Sequence, residues 1–351
     1  MSSPLFIALL TLPLLGLELL AIKGLAAPRW QVLAVLPVAQ DCAEGRWRGV
    51  NLTWYGFFIA SAAVAGLTLA LLLLAALDIP PEPVLLTGTL LLAVCTPAAR
   101  IVARLVEGKQ HTLTVGGAIF VGLLCTPLLL QLHNFLGPRL GLVALPLLPT
   151  LAALSCGVAL GEGIGRLGCI SFGCCYGKPL CRYPAPLARL LAPIAYVCHG
   201  PTRKAAYAGH CEGEPLFPIQ ACSALLLTGI AMAAALLLLE NHPRLALLLA
   251  LGGSLLWRIV SELFRADFRG RFSFSAYQRM ALAGLGLTLL LAWLLPTPSL
   301  PSADPAHGLR LLWDPLVLLA LQLVWLALFI RTGRSTVTTA ELSLQVVREN
   351  I

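Results

Sequence analysis

The sequence predicts an all-α, polytopic integral membrane protein of about nine transmembrane helices. Two observations carry this. Of the 351 residues, 58% are hydrophobic and only 11% are charged, a balance that excludes an ordinary soluble domain. The apolar residues also fall into runs of membrane-spanning length, since about 20 residues at 1.5 Å rise cross a hydrocarbon core of about 30 Å.

The runs cover 4–22, 54–77, 84–102, 113–132, 142–164, 216–239, 245–264, 280–295 and 311–330. The first lacks a basic leader and carries Glu18, so it reads as a retained helix rather than a cleaved signal. The run at 280–295 is short and is expected to recruit Phe274 to Tyr277 or to tilt less than its neighbours. Between the fifth and sixth runs, 166–215 is the one long segment that spans nothing, and it is too short to bury a sizeable core. A net charge of +8 points to anionic lipid head groups rather than to nucleic acid.

Ionisable residues in or beside spans are costly and therefore mark function. Arg100 and Arg104 lie one turn apart at the end of the third run. Arg166 ends the fifth in GEGIGRLGCISFGCCYGKP, residues 161–179, whose six glycines permit close backbone approach. Arg258, Glu262 and Arg265 stand at i, i+4 and i+7 in WRIVSELFRAD. Glu162, one turn before Arg166, is placed to pair with it. The plain alternative is structural: snorkelling arginines and a self-neutralising Arg258–Glu262 pair. Against it, two arginine forks beside a glycine-rich turn suit a phospholipid phosphate.

The string GRLGCISFGCCYG (165–177) resembles the signature of the prolipoprotein diacylglyceryl transferase family. Other blocks follow in that family's order: TWYG at 53–56, the arginine-bearing helix end at 99–105, VGGAIFVG at 115–122, FPIQ at 217–220, WRIVSELFRAD at 257–267 and SAYQ at 275–278. The resemblance covers 51–295. It leaves 1–50 as an extra N-terminal helix and loop, and 296–351 as an extra C-terminal helix and tail.

The resemblance implies transfer of the diacylglyceryl group of phosphatidylglycerol to the lipobox cysteine thiol of prolipoproteins, in a bacterial inner (plasma) membrane and with no cofactor. It implies catalytic positions at Tyr55, Arg166 and Glu262, and substrate-binding positions at Arg100, Arg104, Gly165, Gly168, Gly177, Gln220, Arg258 and Arg265. Several family positions are altered. The His-Gly-Gly block, whose histidine is a proposed base, reads Val115-Gly116-Gly117. Cys169 and Cys174 stand for the signature Asn and Glu, Ser254 for a Tyr, and Cys222 and Ser223 for the Tyr and Glu of the P-x-Q block. The thiol acceptor still needs a proton acceptor at neutral pH. His111 is the first surviving candidate and Glu162 the second. These changes keep two other readings open, a phospholipid-binding or transport protein and a lipid head-group transferase with another acceptor.

Eleven cysteines are many for such a chain, and Cys169, Cys174, Cys175, Cys181, Cys198 and Cys211 gather in the signature and the loop after it. Free thiols or small apolar filling, disulfides, and a metal site all remain open; the spacing matches no repeated C-x2-C pattern, so no metal ligand set is assigned. Orientation is contested. The resemblance places Arg166 toward the outer face, where exported acceptors arrive. The positive-inside rule points the other way, because the face of Arg166 also collects Arg46, Arg48, Arg203, Lys204 and Arg334, while the opposite face holds Arg139, Arg244 and Arg310. The need for an exported acceptor favours the outer face.

Overall fold

A computed structural model describes residues 1–41, 46–108, 114–268, 274–343 and 345–351. Among them, nine helices are long and apolar enough to cross a membrane. We label them α1 (Ser3–Gly24), α2 (Trp54–Ala76), α3 (Pro81–Glu107), α4 (Val115–Leu136), α5 (Leu147–Phe172), α6 (Ile219–Leu239), α7 (Pro243–Glu262), α8 (Ala276–Leu294) and α9 (Pro315–Gly333). Each overlaps one expected run. The fifth differs in a way that matters: the helix continues eight residues beyond the expected end at 164, so Arg166 lies inside the span instead of closing it. The eighth begins at Ala276 because Ser275 and Gln278 form a capping box, which adds Tyr277 to the short apolar run.

Lipid offers no hydrophobic drive for helices to associate, so close packing between small residues must hold them. α5 is the hub. Its Gly157 meets Gly66 of α2 backbone to backbone, and a methyl group at either position would strike the other's carbonyl. Further along the same face, Gly161 faces the Ala62 carbonyl and Gly168 the Tyr55 carbonyl, where an added Cβ would stand 2.9 and 3.1 Å from the oxygen. On another face Gly163 lies against Thr228 and Ala224 of α6. Around this contact, leucines and alanines of α2, α5, α6 and α7 form one apolar core. Glu18 of α1 is buried in it, and the Thr228 hydroxyl donates to its Oε1 at 2.6 Å. In α7 a π turn at Leu248–Gly252 resets the helix phase ahead of the turns carrying Arg258.

Outside the helices lies a feature the apolar periodicity does not announce. β1 (Val32–Asp41) and β2 (Arg46–Thr53) pair antiparallel. A strand from the far end of the chain, Arg334–Ser343, completes the sheet on the other side of β2. The hydrophilic alternation TVTTAELS at 336–343 explains a strand rather than a tail, and Thr53 joins the two ends by donating from its hydroxyl to the Gly333 carbonyl at 3.0 Å. The long loop between α5 and α6 holds a small buried cluster of Tyr176, Cys198, Ala205, Cys211 and Leu216. Arg203, fully buried, ties that loop down by donating to the carbonyls of Ile170 at 3.2 Å and Ala27 at 2.7 Å.

Candidate functional site

The last turns of α5 and of α7 converge on one carboxylate. Arg166 Nη2 donates to Glu162 Oε1 at 2.5 Å along α5, and Arg258 Nη2 of α7 donates to that same oxygen. The three side chains are 4–9% exposed. The sequence-level alternative of an Arg258–Glu262 pair is therefore corrected: the carboxylate partner of Arg258 comes from across the helix interface. Counted over these three groups alone, two guanidinium groups against one carboxylate leave one unit of positive charge, with Glu262 the next acid along α7. They also leave donors to spare, since among the described residues neither Arg166 Nε nor Arg258 Nε has a hydrogen-bond partner. A buried cation with unused donors suits an anion.

α4 closes one side of this cluster. The altered His-Gly-Gly block sits at its N-terminus, and a Cβ added to Gly116 would stand 2.8 Å from Arg258 Nη1 and 3.2 Å from the Tyr277 ring. The block's glycine thus keeps a structural purpose, room for the guanidinium, although Val115 has no proton to exchange. Tyr277 in turn donates to Glu107 of α3 at 2.9 Å.

The signature turn is fastened to the end of α7 by backbone bonds. Lys178 N–H donates to the Phe264 carbonyl at 2.9 Å, Ala266 N–H donates to the Tyr176 carbonyl at 3.1 Å, and Gly177 bridges to Arg265. Gly177 has no room for a side chain, because a Cβ would run into the Phe217 carbonyl. The Arg265 side chain is held bidentately by Asp267, at 2.9 and 3.1 Å. Burial pushes the Asp267 carboxyl up to about 6, and the facing guanidinium offsets only part of that. Gln220 donates to the Cys174 carbonyl at 3.1 Å.

Of the sequence-predicted residues, the structure brings together Arg166 and Arg258 through Glu162. It places Tyr55 against Gly168, with its ring 5.7 Å from that of Phe172. A Cβ added to Gly165 would meet only Ile59 and Ala62 of α2, at ordinary contact distance. Glu262 accepts a long bond, 3.4 Å, from the Ser275 hydroxyl. Arg100 is half-buried and Arg104 exposed on α3, and neither hydrogen-bonds to the Glu162 cluster. His111 lies outside the described residues. Glu162, weighed as a base, is committed to two ion pairs and serves as the shared counter-ion.

A body of apolar helices long enough to cross a membrane, with two buried arginines on one carboxylate beside a glycine-rich turn, defines a polytopic membrane protein with a charged cluster inside its helix bundle. The sequence model of prolipoprotein diacylglyceryl transferases matches residues 46–294, and the chain belongs to that family. It is a family of membrane transferases of lipoprotein biosynthesis, acting on lipid and prolipoprotein. No individual curated protein matches the chain.

Proposed function

We propose that the chain transfers the diacylglyceryl group of phosphatidylglycerol to the lipobox cysteine thiol of prolipoproteins, at the outer face of a bacterial inner membrane. In this reading Arg166 and Arg258 hold the lipid phosphate, and the surplus charge they share across Glu162 is the observation that carries it. Before transfer they bind the head group. As the carbon–oxygen bond breaks, they stabilise the charge that collects on the leaving glycerol phosphate. Arg265, Gly177 and Gln220 shape the turn that borders the site, Tyr55 lines it from α2, and Glu262 completes its polar rim with Ser275. Arg100 and Arg104 face the approach along α3, and His111 is the proposed proton acceptor.

The test is direct. Arg166→Ala and Arg258→Ala, expressed in cells lacking their own transferase, should give no thioether-modified lipoprotein by mass spectrometry. Arg166→Lys should fail as well, since an ammonium does not reproduce the guanidinium fork. Purified variants that bind phosphatidylglycerol as tightly as the parent would remove the phosphate site. Lipid binding by the parent without any thioether product would leave a phospholipid-binding protein, the reading favoured by Val115, Cys169 and Cys174 at altered family positions.

A further inference from the structure

The thiols of Cys169, Cys174 and Cys175 lie within 4.8 Å of one another at the end of α5. Backbone geometry explains the first two. Gly173 takes a left-handed φ of 69° and its N–H donates to the Ile170 carbonyl at 3.2 Å, while Cys174 N–H donates to the Cys169 carbonyl at 3.1 Å. This is a Schellman turn, which folds the residue after the glycine back over the last helical turn. Cys174 therefore lands on Cys169 without further cause.

The third thiol has a different origin. Cys175 is held at φ 55°, a left-handed conformation that a residue with a side chain adopts at a cost of roughly 1–2 kcal/mol. The neighbouring backbone enforces it from every side. Ala205 N–H donates to the Gly173 carbonyl, Gln220 to the Cys174 carbonyl and Ala266 N–H to the Tyr176 carbonyl. With its neighbours pinned in this way, the left-handed turn at Cys175 gathers a third sulfur beside two others.

We propose that Cys169, Cys174 and Cys175 form a three-thiolate site for one zinc ion, whose fourth coordination position takes the acceptor thiol. Zinc–sulfur bonds of about 2.3 Å in a tetrahedral arrangement separate the sulfurs by about 3.8 Å, so side-chain rotation from the present spread of up to 4.8 Å is enough. Soft thiolates select zinc over the hard cations. Three thiolates on Zn2+ carry one negative charge, which suits the setting: Arg166 stands one turn before Cys169, and Arg265 is bridged to Gly177, two residues after Cys175. Among the described residues no fourth His, Cys, Asp or Glu joins the group. A zinc held by three protein ligands with its fourth position given to substrate, as proposed here, is the pattern of catalytic rather than structural zinc.

The acceptor half of this proposal rests on the transferase reading above, and it answers the chemical gap left by Val115. Coordination to zinc deprotonates a thiol outright. The acceptor R–SH gives up its proton as it binds, and His111, the proton acceptor proposed above, takes it. Its sulfur then forms the new C–S bond while the glycerol carbon's C–O bond breaks, and the electron pair leaves on the phosphate oxygen. Zinc stays divalent throughout, and no oxidant is involved.

The full chain, purified in mild detergent under reducing conditions, should hold one zinc per chain by elemental mass spectrometry. Cys181→Ser, at an exposed cysteine outside the trio, should hold the same amount. The Cys169→Ser/Cys174→Ser/Cys175→Ser variant should hold at least tenfold less. In case that variant fails to fold, alkylation mapping of the parent gives a second readout: zinc should protect these three thiols from N-ethylmaleimide, and stripping with a chelator should expose them. A parent without stoichiometric zinc, zinc retained by the triple variant, or a disulfide among the three in freshly isolated chain overturns the site. Stoichiometric zinc with no thioether product keeps the metal site and removes the acceptor role. Full transfer after zinc removal overturns the metal while leaving the transferase reading intact.

Discussion

Glu162 is expected to matter more for stability than either arginine it binds. Glu162→Gln keeps an acceptor oxygen of nearly the same shape and removes only the charge. The wild-type trio of Arg166, Arg258 and Glu162 has a net charge of one; the variant has two guanidinium groups, each no more than 9% exposed, facing each other with no carboxylate between them. Leaving buried charge uncompensated costs about 3–5 kcal/mol. Arg166→Met instead leaves a one-to-one Arg258–Glu162 pair, so its cost is that of a lost charged hydrogen bond, about 1.5–3 kcal/mol. The double variant returns the charge count to that of the parent and should be at least about 1 kcal/mol more stable than the two single effects added together. Reversible unfolding of the purified chain in mixed micelles, followed by tryptophan fluorescence, measures all three. A Glu162→Gln cost below about 1 kcal/mol, or below that of Arg166→Met, would refute the shared counter-ion.

Four shorter predictions follow from the same geometry. Gly157→Ala should destabilise the chain by about 1–3 kcal/mol, because its methyl group meets the backbone of Gly66 rather than a side chain that can turn away; unchanged unfolding would show that α2 and α5 have room to part. Gly177→Ala should abolish transfer by pushing the signature turn off Phe217 and with it Arg265, and an active variant would show that this turn does not border the chemistry. The raised Asp267 carboxyl stabilises the folded chain fully below about pH 4 and loses that contribution as pH rises through about 6, so the parent should lose stability relative to Asp267→Asn between about pH 4 and 6 and run parallel to it above that; parallel profiles throughout would contradict this. For orientation, Cys198 and Cys211 are buried, at 4% and 8% exposure, and are poor reporters, whereas Cys181 is exposed. A membrane-impermeant maleimide should label Cys181 in intact cells, and labelling only after lysis would place the site in the cytosol.

The spans were legible because lipid enforces long apolar runs, and all nine runs became helices. Helix ends were less so: nothing in the apolar count separates Arg166 inside a helix from Arg166 at its end, since Gly165 and Gly168 dilute the hydropathy without breaking the helix. Arg166 and Arg258 were found as expensive charges in apolar surroundings, and Glu162 was found as a neighbour of the first. Its bond to the second depends on which helix faces meet, which one strand of sequence does not state. Asp267 lies inside WRIVSELFRAD but off the i, i+4, i+7 stripe of Arg258, Glu262 and Arg265, so the helical period does not mark it. Arg203 looked like an ordinary loop charge, and only its burial shows it to be a strut between Ile170 and Ala27. The cysteine trio had a readable sign in C-x3-G-C-C, where a glycine after a helix predicts a turn back onto it; repeated C-x2-C spacing was the wrong template.

The sheet that joins β2 to residues 334–343 carries a consequence for biogenesis. Residues 53 and 333 are held side by side, and eight membrane crossings lie between them. The strand order therefore audits the insertion of the whole body: one helix left out of the bilayer would deliver the last strand to the wrong side. Until that strand emerges from the ribosome, β2 has an open edge ready to recruit any passing extended segment. The ten residues Arg334–Ser343 can therefore close the sheet only after the eight intervening helices have been threaded.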